Sequence, residues 1–122
     1  MIDHVSVAVR DLDRAGAFYE RLLTPLGYAK LVMRPGTIGF GKKYPEFWLN
    51  ERAAMTPADA DTGTHICFRA ASTAAVDAFH AAALDAGAQD CGAPGLRPHY
   101  GATYYAAFVI DLDGYKIEAV HQ

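Results

Sequence analysis

The residues with the most chemistry in this chain are histidines, one late glutamate and a cluster of tyrosines. His4 and His65 stand 61 positions apart in a chain of 122 residues. Each leads into a short run of alternating apolar residues, Val5-Ser6-Val7-Ala8-Val9 and Ile66-Cys67-Phe68-Arg69-Ala70. Glu118 lies in a third such run, Tyr115 to His121. All three are potential ligands. Tyr100, Tyr104 and Tyr105 gather late in the chain, and a phenol facing a site can donate a hydrogen bond or act as an acid. Strand neighbours point to opposite faces, so only one of Tyr104 and Tyr105 can face the same site. Arg69 shares the His65 face and can offset a substrate carboxylate. Arg97 and His99 are loop residues that can contact an anionic substrate, with a solvated loop the preferred reading; His80 is read as a surface residue of a helix, and His121 as solvated. The chain has no nucleophile elbow, phosphate loop or CxxC pair.

The elements that must position these residues repeat. With His4 set against His65, Asp11 faces Ser72, Phe18 faces Phe79 and Leu23 faces Leu84. Asp11 caps a first helix whose Ala15, Phe18, Tyr19, Leu22 and Leu26 fall on one face, and Pro25 and Gly27 end it. Ser72 or Thr73 caps a second helix with Val76, Phe79, Ala83 and Leu84, and Gly87 suits its left-handed terminus. Strand-like runs follow each helix: Tyr28 to Met33, Thr37 to Phe40 and Phe47 to Asn50, then Ala88 to Cys91, Thr103 to Ile110 and Tyr115 to His121. Gly92 to Ala102 reads as a loop, and Asp111-Leu112-Asp113-Gly114 as a hairpin turn.

Alternation assigns the faces. Val5, Val7 and Val9, then Ile66, Phe68 and Ala70, then Ile117 and Ala119, form apolar surfaces for the helices. His4, His65 and Glu118 fall on the opposite, more polar faces. A sheet with helices on one side and an open polar face on the other can curl into a cup. The expected fold class is α+β: two βαβββ modules in tandem forming a curved, cup-shaped mixed sheet with helices on its outer face. One domain covers 1–122, with module 1 at about 1–51, a linker rich in Ala, Asp, Thr and Pro at 52–62, and module 2 at about 63–122.

Composition narrows the partners. A hydrophobic fraction of 52% and a charged fraction of 20% are ordinary for a globular protein. A net charge of −3 gives no basic face, which argues against nucleic acid. No apolar run approaches the roughly 20 residues of a membrane span. With no export signal and two cysteines, Cys67 read as a small buried hydrophobe and Cys91, the chain reads as reduced and cytoplasmic.

The βαβββ–βαβββ order, the opening Ile2-Asp3-His4-Val5-Ser6-Val7-Ala8-Val9-Arg10-Asp11-Leu12, the start Gly63-Thr64-His65-Ile66-Cys67-Phe68 and the ending Phe108 to Glu118 resemble the vicinal oxygen chelate superfamily. That group holds glyoxalase I, extradiol dioxygenases, fosfomycin-modifying enzymes and bleomycin-binding proteins. The resemblance covers nearly the whole chain and is strongest to small bacterial glyoxalase-like proteins.

The resemblance implies a divalent metal (Zn, Fe, Mn or Ni) held by His4, His65 and Glu118, with Glu118 also in a catalytic role. Two imidazoles and one carboxylate leave positions open for two adjacent substrate oxygens, and the metal then stabilises a developing enolate or similar oxyanion. The fourth ligand position of bacterial glyoxalase I falls on Trp48, which cannot ligate and instead offers a flat wall to a ligand. Trp48, Tyr100, Tyr104, Tyr105 and Arg69 are the expected substrate-binding residues. Two functions follow. One is a metal-dependent lyase, isomerase or dioxygenase acting on a small oxygenated molecule. The alternative is a metal-free protein that sequesters a small molecule in the same cup. The resemblance also implies a homodimer, with each cup formed either within one chain or across two.

Overall fold

The computed structural model describes residues 1–122. Two four-stranded sheets follow one another along the chain. The first holds β1 (Val5–Val9), β2 (Ala29–Arg34), β3 (Thr37–Gly41) and β4 (Pro45–Glu51), with α1 (Leu12–Leu23) after β1. The second holds β5 (His65–Arg69), β6 (Gln89–Leu96), β7 (Tyr105–Ile110) and β8 (Lys116–His121), with α2 (Thr73–Asp85) after β5. The strand orders are β1-β4-β3-β2 and β5-β8-β7-β6. In each sheet the first strand pairs parallel with the last, and the remaining pairs are antiparallel. These are two βαβββ modules.

Local chemistry explains the helices. The Asp11 carboxylate accepts from the Arg14 amide at 3.1 Å and Glu51 accepts from the Leu12 amide at 2.9 Å, which satisfies two free donors of the first turn. Pro25 enters a 3₁₀ turn at Thr24–Leu26, and Gly27 closes it at φ 84°, a conformation that costs glycine little. In α2 the Ser72 hydroxyl accepts from the Ala75 amide at 3.1 Å.

The two helices pack on each other, α1 against β2, β3 and β4 and α2 against β6, β7 and β8. One core of 21 residues joins both modules. The Phe47 and Phe68 rings meet edge to face at 5.3 Å and Tyr28 meets Phe68 at 5.5 Å, so aromatic packing crosses between the sheets. The apolar strand faces therefore point into a shared centre, and the polar faces look outward from it. β1 and β5 each remain at an edge of their sheet.

The β7–β8 turn ties the modules together. Tyr19 of α1 donates its hydroxyl to Asp111. Arg10, just past β1, donates to Asp113 at 2.8 Å and to the Leu112 carbonyl at 2.6 Å. The Ala58 amide donates to the Asp113 carbonyl at 2.8 Å. Asp111 and Asp113 are buried, so what reads as a simple hairpin turn is also the joint between the modules.

Several local expectations change. β1 begins at Val5, so His4 precedes the strand. β6 runs on to Leu96 through residues expected to form a loop, and β7 starts at Tyr105. His80 is buried, not a surface residue, and its Nε2 lies 2.9 Å from Asp90. His121 donates from Nδ1 to the Ala70 carbonyl at 3.1 Å and is half-buried, not solvated. Cys67 is exposed on the open face, not buried in the core, and both cysteines are free.

Candidate functional site

Glu118 is the unusual residue of the second sheet: a carboxylate only 2% exposed, on the face away from the helices. It pairs with Cys67 on β5 and with Phe108 on β7, and those neighbours shield it. The Tyr104 hydroxyl donates to its two oxygens, at 2.9 and 3.0 Å. Burial, and then the Glu118 hydrogen bond, raise the Tyr104 phenol above its ordinary value. Partial burial, and then Glu118, push the Cys67 thiol up to about 12.

His65 lies at the mouth of this arrangement. Its Nδ1 is 2.9 Å from the Gly63 carbonyl. A carbonyl only accepts, so Nδ1 carries a proton, and in the neutral imidazole Nε2 keeps its lone pair. Nε2 stands 3.9 Å from a Glu118 oxygen. This tautomer leaves a ring nitrogen free to ligate, fixed by a hydrogen bond at the other nitrogen.

A cavity of about 750 Å³ opens over these residues, and its wall includes Arg97, His99, Tyr100, Phe108 and Lys116. Arg97 is tethered by donating to the Gly95 and Ala93 carbonyls, each at 2.9 Å. Its guanidinium lies 5.6 Å from the Phe108 ring centre, and the Lys116 ammonium lies 5.1 Å from it. Tyr100 packs on Tyr104 at 5.3 Å and on His99 at 4.1 Å.

The first sheet presents a different open face. Trp48 pairs with Ser6 as Glu118 pairs with Cys67, which puts the indole where the second module has its carboxylate. The half-buried ring covers Gly39, where a Cβ would approach it to 2.9 Å, and Arg34 lies 5.6 Å from its centre. Asn50 accepts from Thr37 at 2.8 Å and donates to Ser6. His4 is exposed, with Nδ1 2.6 Å from the Asp3 carboxylate. In the neutral imidazole its Nε2 is free.

Of the residues singled out from sequence, the structure brings His65, Glu118, Tyr104 and Tyr100 together. Tyr105 turns to the helix side and donates to Asp77 at 2.6 Å. Arg69 is exposed and outside the cavity wall. His4 and Trp48 belong to the other module, and no three His, Cys, Asp or Glu side chains of one chain are grouped as metal ligands. Sequence reasoning passed over Lys116, although it lies two residues from Glu118 on the same strand face. For Arg97 and His99 a solvated loop was preferred over contact with an anionic substrate, whereas both line the cavity.

The sequence model of the Glyoxalase/Bleomycin resistance protein/Dioxygenase superfamily matches residues 1–119. A glyoxalase/bleomycin resistance protein from Albidiferax ferrireducens is 33% identical, with a TM-score of 0.84 over 98% of this chain and 97% of its own. Two more distant structures share the fold. The Listeria monocytogenes fosfomycin resistance protein FosX, solved as a variant with Mn(II) and a dihydroxypropylphosphonic acid, is 16% identical, with a TM-score of 0.73 over 98% of this chain and 88% of that one. The bleomycin resistance determinant of transposon Tn5 is 21% identical, with a TM-score of 0.65 over 96% and 93%. None of the curated proteins compared with the chain matches it. No helix is long and apolar enough to cross a membrane. The match over residues 1–119 and the 33% identity across almost the full length of both chains place this chain in the Glyoxalase/Bleomycin resistance protein/Dioxygenase superfamily.

Proposed function

We propose that the protein is a metal-dependent enzyme of the lyase, isomerase or dioxygenase type, acting on a small oxygenated molecule as a cytoplasmic homodimer. The observation that carries this reading is the His65–Glu118 pair: an imidazole nitrogen freed by its tautomer, facing a buried carboxylate at 3.9 Å in an open cavity. The buried Glu118 carboxylate is hydrogen-bonded by the uncharged Tyr104 phenol, and a cation held at its open side would offset more of the cost of burying its charge. Its donors fit a Zn²⁺, Mn²⁺, Ni²⁺ or Fe²⁺ ion. His65 and Glu118 would hold the ion, with His4 from a second copy as the third ligand. When bound, the ion would polarise two adjacent substrate oxygens. Tyr104 would orient Glu118 and keep a proton at its hydroxyl for a substrate oxygen. The Mn(II) in the Listeria relative supports the same reading.

A second reading rests on Trp48, whose flat ring replaces a carboxylate at the matching place of the first module. In that reading the cup sequesters a small molecule without metal. Calorimetric titration of the chelator-treated protein with the four cations separates the two. The metal reading expects binding that weakens by roughly 10- to 100-fold or more in His65→Ala. Absence of binding to all four, or equal binding by His65→Ala, leaves the sequestering reading in its place.

A further inference from the structure

The open face of the second sheet carries more positive charge than its one acid can balance. Arg97 and Lys116 flank the Phe108 ring at 5.6 and 5.1 Å. Neither takes part in any of the chain's six ion pairs. Glu118 is the only acidic residue in the cavity wall, and its oxygens already accept from Tyr104. Arg97 is held in place by two backbone carbonyls. The absence of a side chain at Gly92 makes room for it: a Cβ there would come within 3.2 Å of the guanidinium and 3.1 Å of Phe108. A tethered guanidinium and an ammonium beside an apolar ring, in a chain of net charge −3, form a local field opposite to that of the whole molecule.

We infer that this cavity takes a small organic anion, a carboxylate or phosphonate, with its charged group between Arg97 and Lys116 over Phe108. Lys116 and Glu118 are two residues apart on one strand face, about 6–7 Å along β8. The ligand is therefore short: an oxygen function at its far end reaches the Tyr104 and Glu118 end while the anion rests on the cations. Tyr100 and Phe108 leave flat apolar surface between the two ends, which suits a planar body. Guanidinium and ammonium groups give the anion charge-assisted hydrogen bonds that an uncharged analogue lacks.

The inference shares with the proposed function only the identification of the cavity as the ligand site; it does not need the metal. The test is a titration in chelator at low ionic strength, followed through backbone amide shifts. The probes are 4-hydroxybenzoate and its uncharged match 4-hydroxybenzamide, with 4-hydroxyphenylphosphonate to distinguish the two anions. Shifts are expected around Phe108, Lys116 and Arg97, with the carboxylate or the phosphonate bound at least roughly tenfold more tightly than the amide. Lys116→Gln and Arg97→Gln should each reduce that preference by about threefold or more and together abolish it, and Lys116→Arg should retain it. Equal affinity for acid and amide, no binding of any probe, or a preference that survives in the double variant would overturn the inference. Because no metal is present, either result leaves the cation titration of His65→Ala to stand or fall separately.

Discussion

At the scale of single residues, the centre of the site is a buried carboxylate on a sheltered face, where burial first and Glu118 second raise the neighbouring Cys67 thiol and Tyr104 phenol. Cys67 shows this most directly, since partial burial and Glu118 push its thiol up to about 12. The thiolate is the reactive form. In metal-free Cys91→Ser protein, alkylation of Cys67 by iodoacetamide at pH 8 should run at least roughly a hundredfold below that of an unperturbed thiol. Adding Glu118→Gln removes the neighbouring anion, so the rise in rate should move to lower pH. Rapid labelling of Cys67 at pH 8 would contradict the assignment. Little of this was legible in the sequence, because a strand pattern gives the face of Cys67 and Glu118 but not what shields them. His80 was misread for a related reason. It was read as surface from its match to Tyr19, yet Tyr19 is itself buried, and Asp90 supplies the partner that lets an imidazole sit inside. The side-chain direction of Tyr104 depended on one residue of register, which sequence alone left open.

At the scale of elements, the period-2 and helical patterns were strong enough to locate both α-helices and all eight strands, because each buries one face against the common core, whereas the 3₁₀ turn Ala60–Thr62, which buries nothing, fell in the expected linker. They failed where pattern and backbone disagree. Gly92 to Leu96 contains Gly and Pro, yet continues β6 at the sheet edge, where breaks in register are tolerated. The Asp111–Gly114 turn was read correctly as a turn, but its role as a joint depends on contacts with Tyr19, Arg10 and Ala58, all distant in sequence. Two substitutions should weaken it. Tyr19→Phe removes a donor from a buried carboxylate, and Gly114→Ala puts a Cβ 2.2 Å from the Ala58 carbonyl oxygen at φ +94°. Each should cost about 1–3 kcal/mol in urea unfolding. Values within about 0.5 kcal/mol of wild type, the usual range for an uninvolved surface position, would show that the joint is not structural. Acid should not open it through Asp111. Burial raises that carboxyl although its hydrogen bonds pull the other way. The folded state therefore holds this proton more tightly than the unfolded chain, and stability from Asp111 is present at low pH and lost as pH rises through the raised value.

At the scale of the whole molecule, the packing of α1 on α2 directs the two polar faces outward, so His4 and the His65–Glu118 pair do not share one cup within a chain. The unpaired edges of β1 and β5 offer a way to join them. A second copy related by a two-fold axis can set its β1 edge beside β5, which extends the sheet and carries its His4 toward His65 and Glu118. Such an arrangement makes two equivalent sites, each built from both copies. The consequence is complementation. His4→Ala and His65→Ala should each lose most metal affinity as pure dimers. In a mixed dimer one site carries both losses, and the other keeps His4 from one copy with His65 and Glu118 from its mate. Unfolding and refolding equal amounts together should therefore restore about a quarter of the wild-type sites, since about half of the dimers are mixed and each holds one intact site. The readout is the number of Mn²⁺ ions bound per chain in the mixture, against each variant treated alone. If the mixture binds no more than its components while sedimentation shows dimers that exchange, the site is not shared between copies. His4 would then have to reach His65 by a rearrangement within one chain.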